Sequence, residues 1–352
     1  MTARDSVTIR DVARQAGVSP GTVSRAINNS PLVNDETRQR IMDVVEELNY
    51  RPNIAARRLS LGKTLTIAVI VPFFTRPSVT ERLRGVVSSL SETEYDLMIH
   101  NVETPEQRAH SFRTIPYRES ADGVLIISLS PTDEEAEMLS KTSIPVVLID
   151  ADHPDLTRLH RVTVDDVAGG RVATEYLLAL GHRRIGFIGD NTGDAICDEE
   201  TNPLRFTSSF ERHQGYEEAL RRAGVSPRPD YYGTDRHGRH QAARVAHQML
   251  RLAEPPTAIL AASDTQAVGV LEAARDLKVS IPEELSVVGY DDVEIADILG
   301  LTTMRQPLFQ SGERGVELLL GKLNQGPEMA PVSESLPTEL IVRNTTAPPP
   351  DL

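Results

Sequence analysis

Two periodicities divide the chain. Over its first fifty residues apolar side chains recur at helical spacing: Ile9, Val12, Ala13 and Ala16 fall at i, i+3, i+4 and i+7 and make one face. Thr8 caps this helix, and Asp11 sits three residues on, beside the positive helix end. Gly17 stops it. Ser19 opens the next helix as N-cap with Pro20 at the first helical position, where a missing N–H costs nothing. Val23, Ala26 and Ile27 form its inner face and leave Ser19, Gly21, Thr22, Ser24, Arg25 and Asn28 outside. A third helix starts at Asn34-Asp35-Glu36 and turns Ile41, Val44, Val45 and Leu48 inward.

Beyond Lys63 the pattern changes to short continuous apolar runs, at 65–71, 96–100, 123–129 and 145–150, then at 184–189, 258–262 and 286–290. Amphipathic helices fall between them at 80–90, 107–117, 167–180, 212–223, 241–252 and 265–277. Continuous apolar strands alternating with helices predict parallel sheets covered on both faces, and two sets predict two lobes. Ligands of open α/β sheets bind beyond the C-terminal ends of the strands.

Composition narrows the class. A chain of 352 residues, 39% apolar and 25% charged, holds two or three globular domains. No uninterrupted apolar run approaches the roughly 18 residues that span a bilayer, and Met1-Thr2-Ala3-Arg4-Asp5-Ser6 is no apolar leader. The expectation is a cytoplasmic protein without membrane contact. The single cysteine, Cys197, excludes an internal disulfide. The net charge of −14 is wrong for a nucleic-acid binder until it is divided: residues 1–63 carry ten Lys/Arg against seven Asp/Glu, so the head is +3 and the remainder −17. One end can meet phosphate while the rest is repelled by it.

Two short helices joined by a Gly-containing turn make either a small packing module or a helix-turn-helix, whose second helix enters the major groove. The outward hydroxyls, amide and Arg25 suit the groove, because Arg bonds guanine O6 and N7 together. The wording of Val7–Ser19, of Thr22–Asn28, of Asn49-Tyr50-Arg51-Pro52-Asn53 and of Ala56-Arg57-Arg58-Leu59 resembles the head of the lactose-repressor (LacI/GalR) family. The resemblance extends over the whole chain.

It implies an all-α helix-turn-helix head (1–52), a hinge helix (53–63) and a two-lobed α/β core of the periplasmic-binding-protein type with parallel sheets. The lobes would be 64–164 plus about 293–325 and 165–292 plus about 326–346, ahead of a tail, 347–352. It implies a nucleoid-associated bacterial repressor that binds double-stranded operator DNA as a homodimer, with Thr8, Asn34, Tyr50 and Asn53 among the DNA contacts. Leu59 would be the minor-groove wedge, with Ala56 beside it. A hinge of about nine residues is too short to be a stable helix alone, which fits ordering on DNA. Pro20 and Gly21 depart from the family, since neither offers a side-chain hydrogen bond; Arg25 then carries much of the direct readout.

The resemblance also assigns a small-molecule effector to the cleft. Asp291 would grip hydroxyls, and Arg212 would fork onto a hydroxyl pair, a carboxylate or a phosphate. Asp150 and Ser263 match lining positions, Phe74, Arg76, Ser78 and Val79 lie on the first cleft loop, and Gln306 on a late crossing strand. His237, in a basic run, reaches the cleft edge, and the loop 190–206 forms a lid with Phe206 or Phe210 stacking on the ligand. Asp264 and Asp292 read as helix caps or solvated surface acids. A sugar or sugar derivative is the expected effector, a purine or nucleoside the other candidate. No dinucleotide fingerprint, P-loop, HExxH or GxSxG occurs, and the acidic loop lacks the alternating ligands of a calcium loop, so no catalytic residue, cofactor or metal is expected.

Overall fold

The computed structural model describes residues 7–27, 30–51, 58, 62–117, 120–190, 204, 206–326 and 329–350. Two compact units make up the chain, Met1–Thr64 and Leu65–Leu352. The predicted hinge, with Asn53, Ala56 and Leu59, falls almost wholly outside the described residues, as does Asn28.

The first unit is three helices, α1 (Ile9–Ala16), α2 (Pro20–Ile27) and α3 (Asp35–Glu47), around Val12, Val23 and Ile41, all fully buried. The starts and stops are those the sequence predicts. Thr8 donates its N–H and hydroxyl to Asp11 Oδ2 at 3.0 and 2.6 Å, and Gly17 ends α1 at φ 67°. Ser19 Oγ and Asn34 Oδ1 accept the Thr22 and Thr37 N–H groups at 3.1 and 2.8 Å. Arg38 of α3 was unforeseen: it donates to the carbonyls of Ala26, Ser30 and Val33 at 2.9, 2.8 and 3.1 Å, a cationic cap on the negative end of α2.

The second unit has two six-stranded sheets. The first is ordered β11-β5-β4-β3-β1-β2, with β1 Thr66–Pro72, β2 Asp96–Val102, β3 Gly123–Ile127, β4 Val146–Ile149, β5 His160–Val164 and β11 Ser333–Leu336, all pairs parallel. The second is β12-β10-β9-β8-β6-β7, with β6 Ile185–Asp190, β7 Tyr232–Asp235, β8 Ala258–Ala261, β9 Ser286–Asp291, β10 Thr302–Arg305 and β12 Glu339–Ile341, only β12 antiparallel. β1 is apolar without alternation because both faces are covered. Ile67, Val69 and Val71 meet α4 (Pro77–Leu90) and α12 (Leu308–Gln325), while Ala68 and Ile70 meet α5 (Pro105–Thr114) and α6 (Asp133–Ser140). The second sheet is covered likewise by α7 (Asp166–Ala179) and α8 (Ser208–Arg222) on one face, α9 (Arg239–Met249) and α10 (Asp264–Leu277) on the other.

The lobe boundaries differ from the sequence expectation. α11 (Glu294–Ile298) and β10 stay with the second sheet, α12 and β11 join the first, and β12 returns to the second. The crossings therefore lie near 306 and 337, not near 293 and 326. Thr302–Arg305 and Ser333–Leu336 are four-residue, half-polar strands whose sheet is decided by pairing partners, which periodicity does not reveal.

Two lobes are each welded by glycines. A Cβ on Gly215 of α8 would stand 2.0 Å from Val167 O of α7, and one on Gly170 of α7 2.1 Å from Arg212 O. A Cβ on Gly85 of α4 or on Gly312 of α12 would likewise stand 2.0 Å from Phe309 O or Arg82 O of the facing helix. Both crossings thus set the depth of an arginine, Arg212 and Arg82, at the cleft between the lobes.

Candidate functional site

In the head, Ser19, Pro20, Gly21 and Arg25 are exposed on α2, with Thr22 and Ser24 half-buried. Ser19 and Thr22 bond each other, Oγ to Oγ1 at 2.9 Å, so part of their capacity is spent on capping. The Arg25 side chain makes no hydrogen bond to a described residue and is the free fork on this face. Thr8 and Asn34 are occupied as caps, and Tyr50 packs against the head core.

In the core, the C-terminal ends of strands from both sheets supply one cavity of about 50 Å³. Of the predicted residues, Arg76, Ser78, Val79, Asp150, Arg212, His237, Ser263, Asp291 and Gln306 line it. Ser78 and Val79 lie in the first turn of α4, not on a loop, because Pro77 fits the helix start. Phe74 and Phe210 do not line it. Phe74 is 43% exposed, with its N–H on Asn101 Oδ1, while its neighbour Phe73 turns inward against Phe206, ring centroids 6.2 Å apart. Phe210 lies two residues from Arg212 on α8, about 200° around the helix, and so faces away.

The polar groups form a linked set. Arg82 Nη2 lies 3.0 Å from Asp150 Oδ2 and donates to Gln306 Oε1 at 3.2 Å. Gln306 Nε2 donates to Asp291 Oδ1 at 2.7 Å. Arg212 pairs with Asp166 at 2.9 Å, stacks 3.8 Å over the Tyr290 ring and stands 3.8 Å from Asp291. His237 Nδ1 and Gln266 Nε2 both meet Asp190 Oδ1, at 3.1 and 3.0 Å. Burial pushes the Asp291 carboxyl up to about 6, against the pull of Arg212 and Arg82. Glu211, on the same helix as Arg212, is pushed up to about 7 by burial and by Asp166. Asp150 (φ 53°), Asp291 (φ 116°), Ser128 (φ 52°) and Phe73 (φ 40°) are held in the left-handed region at or just beyond strand ends, local strain of the kind that clusters at ligand sites.

Sequence reasoning missed Arg82, Asp166, Asp190 and Gln266. Arg82 had a signal: it sits on the apolar stripe Val79, Leu83, Val86, where an arginine needs a buried partner. Asp264 and Asp292 are corrected. Asp264 is fully buried and accepts from Thr303 Oγ1 and Val293 N–H at 2.6 and 2.9 Å, its carboxyl pushed up to about 8 by burial. The Asp292 side chain is only 6% exposed and pairs with Arg305 and Arg343 at 2.7 and 2.8 Å.

A three-helix head with a groove-sized reading face and a two-lobed α/β core enclosing a polar cleft define a ligand-responsive DNA-binding regulator. Comparison with known proteins agrees. Residues 8–53 match the bacterial regulatory proteins of the lacI family, and residues 174–346 a periplasmic binding protein-like domain. The chain is 31% identical to the "HTH-type transcriptional repressor PurR" of Vibrio vulnificus (strain CMCP6), covering 96% of this chain and 98% of that one. It is 32% identical to the ribose operon repressor of Escherichia coli (strain K12), over 90% and 93%. The lac repressor dimer bound to operator and the anti-inducer ONPF superposes with a TM-score of 0.82 at 26% identity, over 97% and 100%. The chain belongs to the lacI family: it is a DNA-binding transcription regulator, not an enzyme. Among the described residues no helix is long and apolar enough to cross a membrane.

Proposed function

We propose that the protein is a cytoplasmic repressor that binds a palindromic operator as a homodimer and is switched by a sugar-like effector in the interlobe cleft. The observation that carries the effector reading is the pairing of Asp291 with Arg212 at the mouth of β9: a buried carboxylate to accept hydroxyls beside a fixed guanidinium to donate to them. Likeness to a ribose operon repressor supports the same class. A purine, which stacks on an aromatic face, is disfavoured because the Arg76 guanidinium already lies over the Phe73 and Phe206 rings.

Dimerisation is supported by apolar surface that a monomer would leave wet. The edge strand β2 exposes Met98 and Ile99, α4 exposes Val87 at 53%, and α11 exposes Ile298 at 69%. One head reads one half-site, so a palindrome needs two. The test is operator affinity, with and without each compound of a sugar and purine panel. A compound that stabilises the protein thermally and shifts operator affinity supports the reading; a purine as sole hit refutes the sugar class. Leu59→Ala, at the proposed wedge, is expected to weaken specific operator binding and spare non-specific binding, and equal loss of both would remove that role.

A further inference from the structure

We propose that the effector is anionic, a carboxylate or phosphate on a polyhydroxylated frame, and that Arg76 receives the anion. This rests on the sugar-like reading and narrows it.

Three of the basic groups of the cleft lie directly against a carboxyl, and Arg76 does not. Arg82 meets Asp150 at 3.0 Å, Arg212 meets Asp166 at 2.9 Å and His237 meets Asp190 at 3.1 Å. The Arg76 side chain has no hydrogen bond or ion pair with any described residue; only its backbone is bonded, to Phe73 and Thr80. Its guanidinium instead lies 4.3 Å over the Phe73 ring and 5.2 Å over Phe206. Stacking fixes the plane of a guanidinium and leaves its edge, with its N–H donors, open to an acceptor in that plane. Asp190 and Asp291 attract it at longer range, but Asp190 is held by His237 and Gln266, and Asp291 by Gln306.

A ligand that fills the cavity takes the Arg76 guanidinium out of solvent. A neutral polyol would leave that charge with hydroxyl partners and only the longer-range pull of Asp190 and Asp291, which is costly. A carboxylate or phosphate matches the fork in both charge and shape. Arg76 belongs to the first lobe and Asp291 to the second, so a frame with an anion at one end and hydroxyls at the other would span the cleft. The competing account makes Arg76 only a clamp on Phe206, in which case ligand charge has no effect on affinity.

The test is calorimetric titration of the full-length protein with matched sets: glucose, glucuronate and glucose 6-phosphate; galactose, galacturonate and galactose 6-phosphate; ribose and ribose 5-phosphate. Each is run on the wild type, Arg76→Gln and Arg76→Lys, with operator binding as the control for folding. The expected result is that an anionic compound binds best and exceeds its neutral parent by roughly tenfold or more. That advantage disappears in Arg76→Gln and survives in part in Arg76→Lys, and the carboxylate and phosphate members tell the two anions apart. A neutral parent that binds as well as its anions, or an anionic advantage retained in Arg76→Gln, overturns the inference and leaves the sugar-like reading standing. If no polyhydroxylated compound binds, the sugar-like reading falls and the inference with it.

Discussion

Replacing Asp291 by Asn isolates the hydroxyl-gripping function at nearly constant shape. In the native cleft Oδ1 of Asp291 takes the Gln306 amide at 2.7 Å, and the other oxygen bonds no described residue. The amide of the Asp291→Asn variant would keep the first bond and turn the second acceptor into an NH₂ donor. The loss is therefore one charge-assisted bond to the ligand, about 1.5–3 kcal/mol, or roughly ten- to 150-fold in effector affinity. Binding should also depend on pH in the wild type. Burial raises the carboxyl to about 6, so at lower pH the free cleft carries a proton that hydroxyl binding must displace. Affinity then falls as pH drops through about 6, by up to about tenfold per unit, and the variant loses that part of the pH dependence. Titration calorimetry with the tightest sugar-like compound, from pH 5 to 8, measures both, and operator binding without effector should be unchanged. A variant that binds within twofold of the wild type, or keeps the same pH slope, refutes the assignment.

Gly215→Ala forces a Cβ to 2.0 Å from Val167 O, so α7 and α8 must separate; overpacking of this kind costs about 1–3 kcal/mol and should lower the denaturation midpoint of the core. Effector affinity should fall with it, because Arg212 lies one turn away on α8, and unchanged stability would show that the helices are not in that contact. Arg38→Ala removes three bonds to carbonyls and should cost the head about 2 kcal/mol, read as faster hydrogen exchange of α2 amides in the full-length protein. Protection equal to the wild type would show that Arg38 does not hold the head together.

What was legible follows from where the physics is local. Ser19-Pro20 and Asn34-Asp35 announce helix starts within four residues, and both start α2 and α3 as read. Seven predicted runs became strands: six are apolar because they are buried on both faces, while β2 is an edge strand with Met98 and Ile99 exposed. Long-range pairing was hidden: β10, β11 and β12 are short and partly polar, and their sheet is chosen by neighbours far away in sequence, Arg161 to Val164 in the case of β11. The left-handed turns at Asp150 and Asp291 were equally hidden, since Asp tolerates that conformation without the glycine that would advertise it. Phe73 and Phe74 could not be told apart in sequence; only the turn at Phe73 decides which ring goes in.

Gln306 explains how occupancy of this cleft can reach the rest of the molecule. It follows β10 at the point where the chain leaves the second lobe for the first. Its single amide accepts from Arg82, which is pinned to Asp150 of the first lobe, and donates to Asp291 of the second. A ligand that engages Asp291 therefore acts on the group that holds the crossing segment, not on a side chain at the cleft's margin. The space between Arg76, Arg212 and Asp291 is about 50 Å³, a few waters' worth, and it shares Ser128, Asp150, Phe206 and Ser208 with a neighbouring cavity of about 430 Å³. A sugar ring seated against both Asp291 and Arg212 needs more than the smaller space, so the lobes part or the Gln306 bridge rearranges around it, and its affinity differs between lobe arrangements. That difference is the condition for a ligand to shift a conformational equilibrium, since equal affinity for both states would shift nothing.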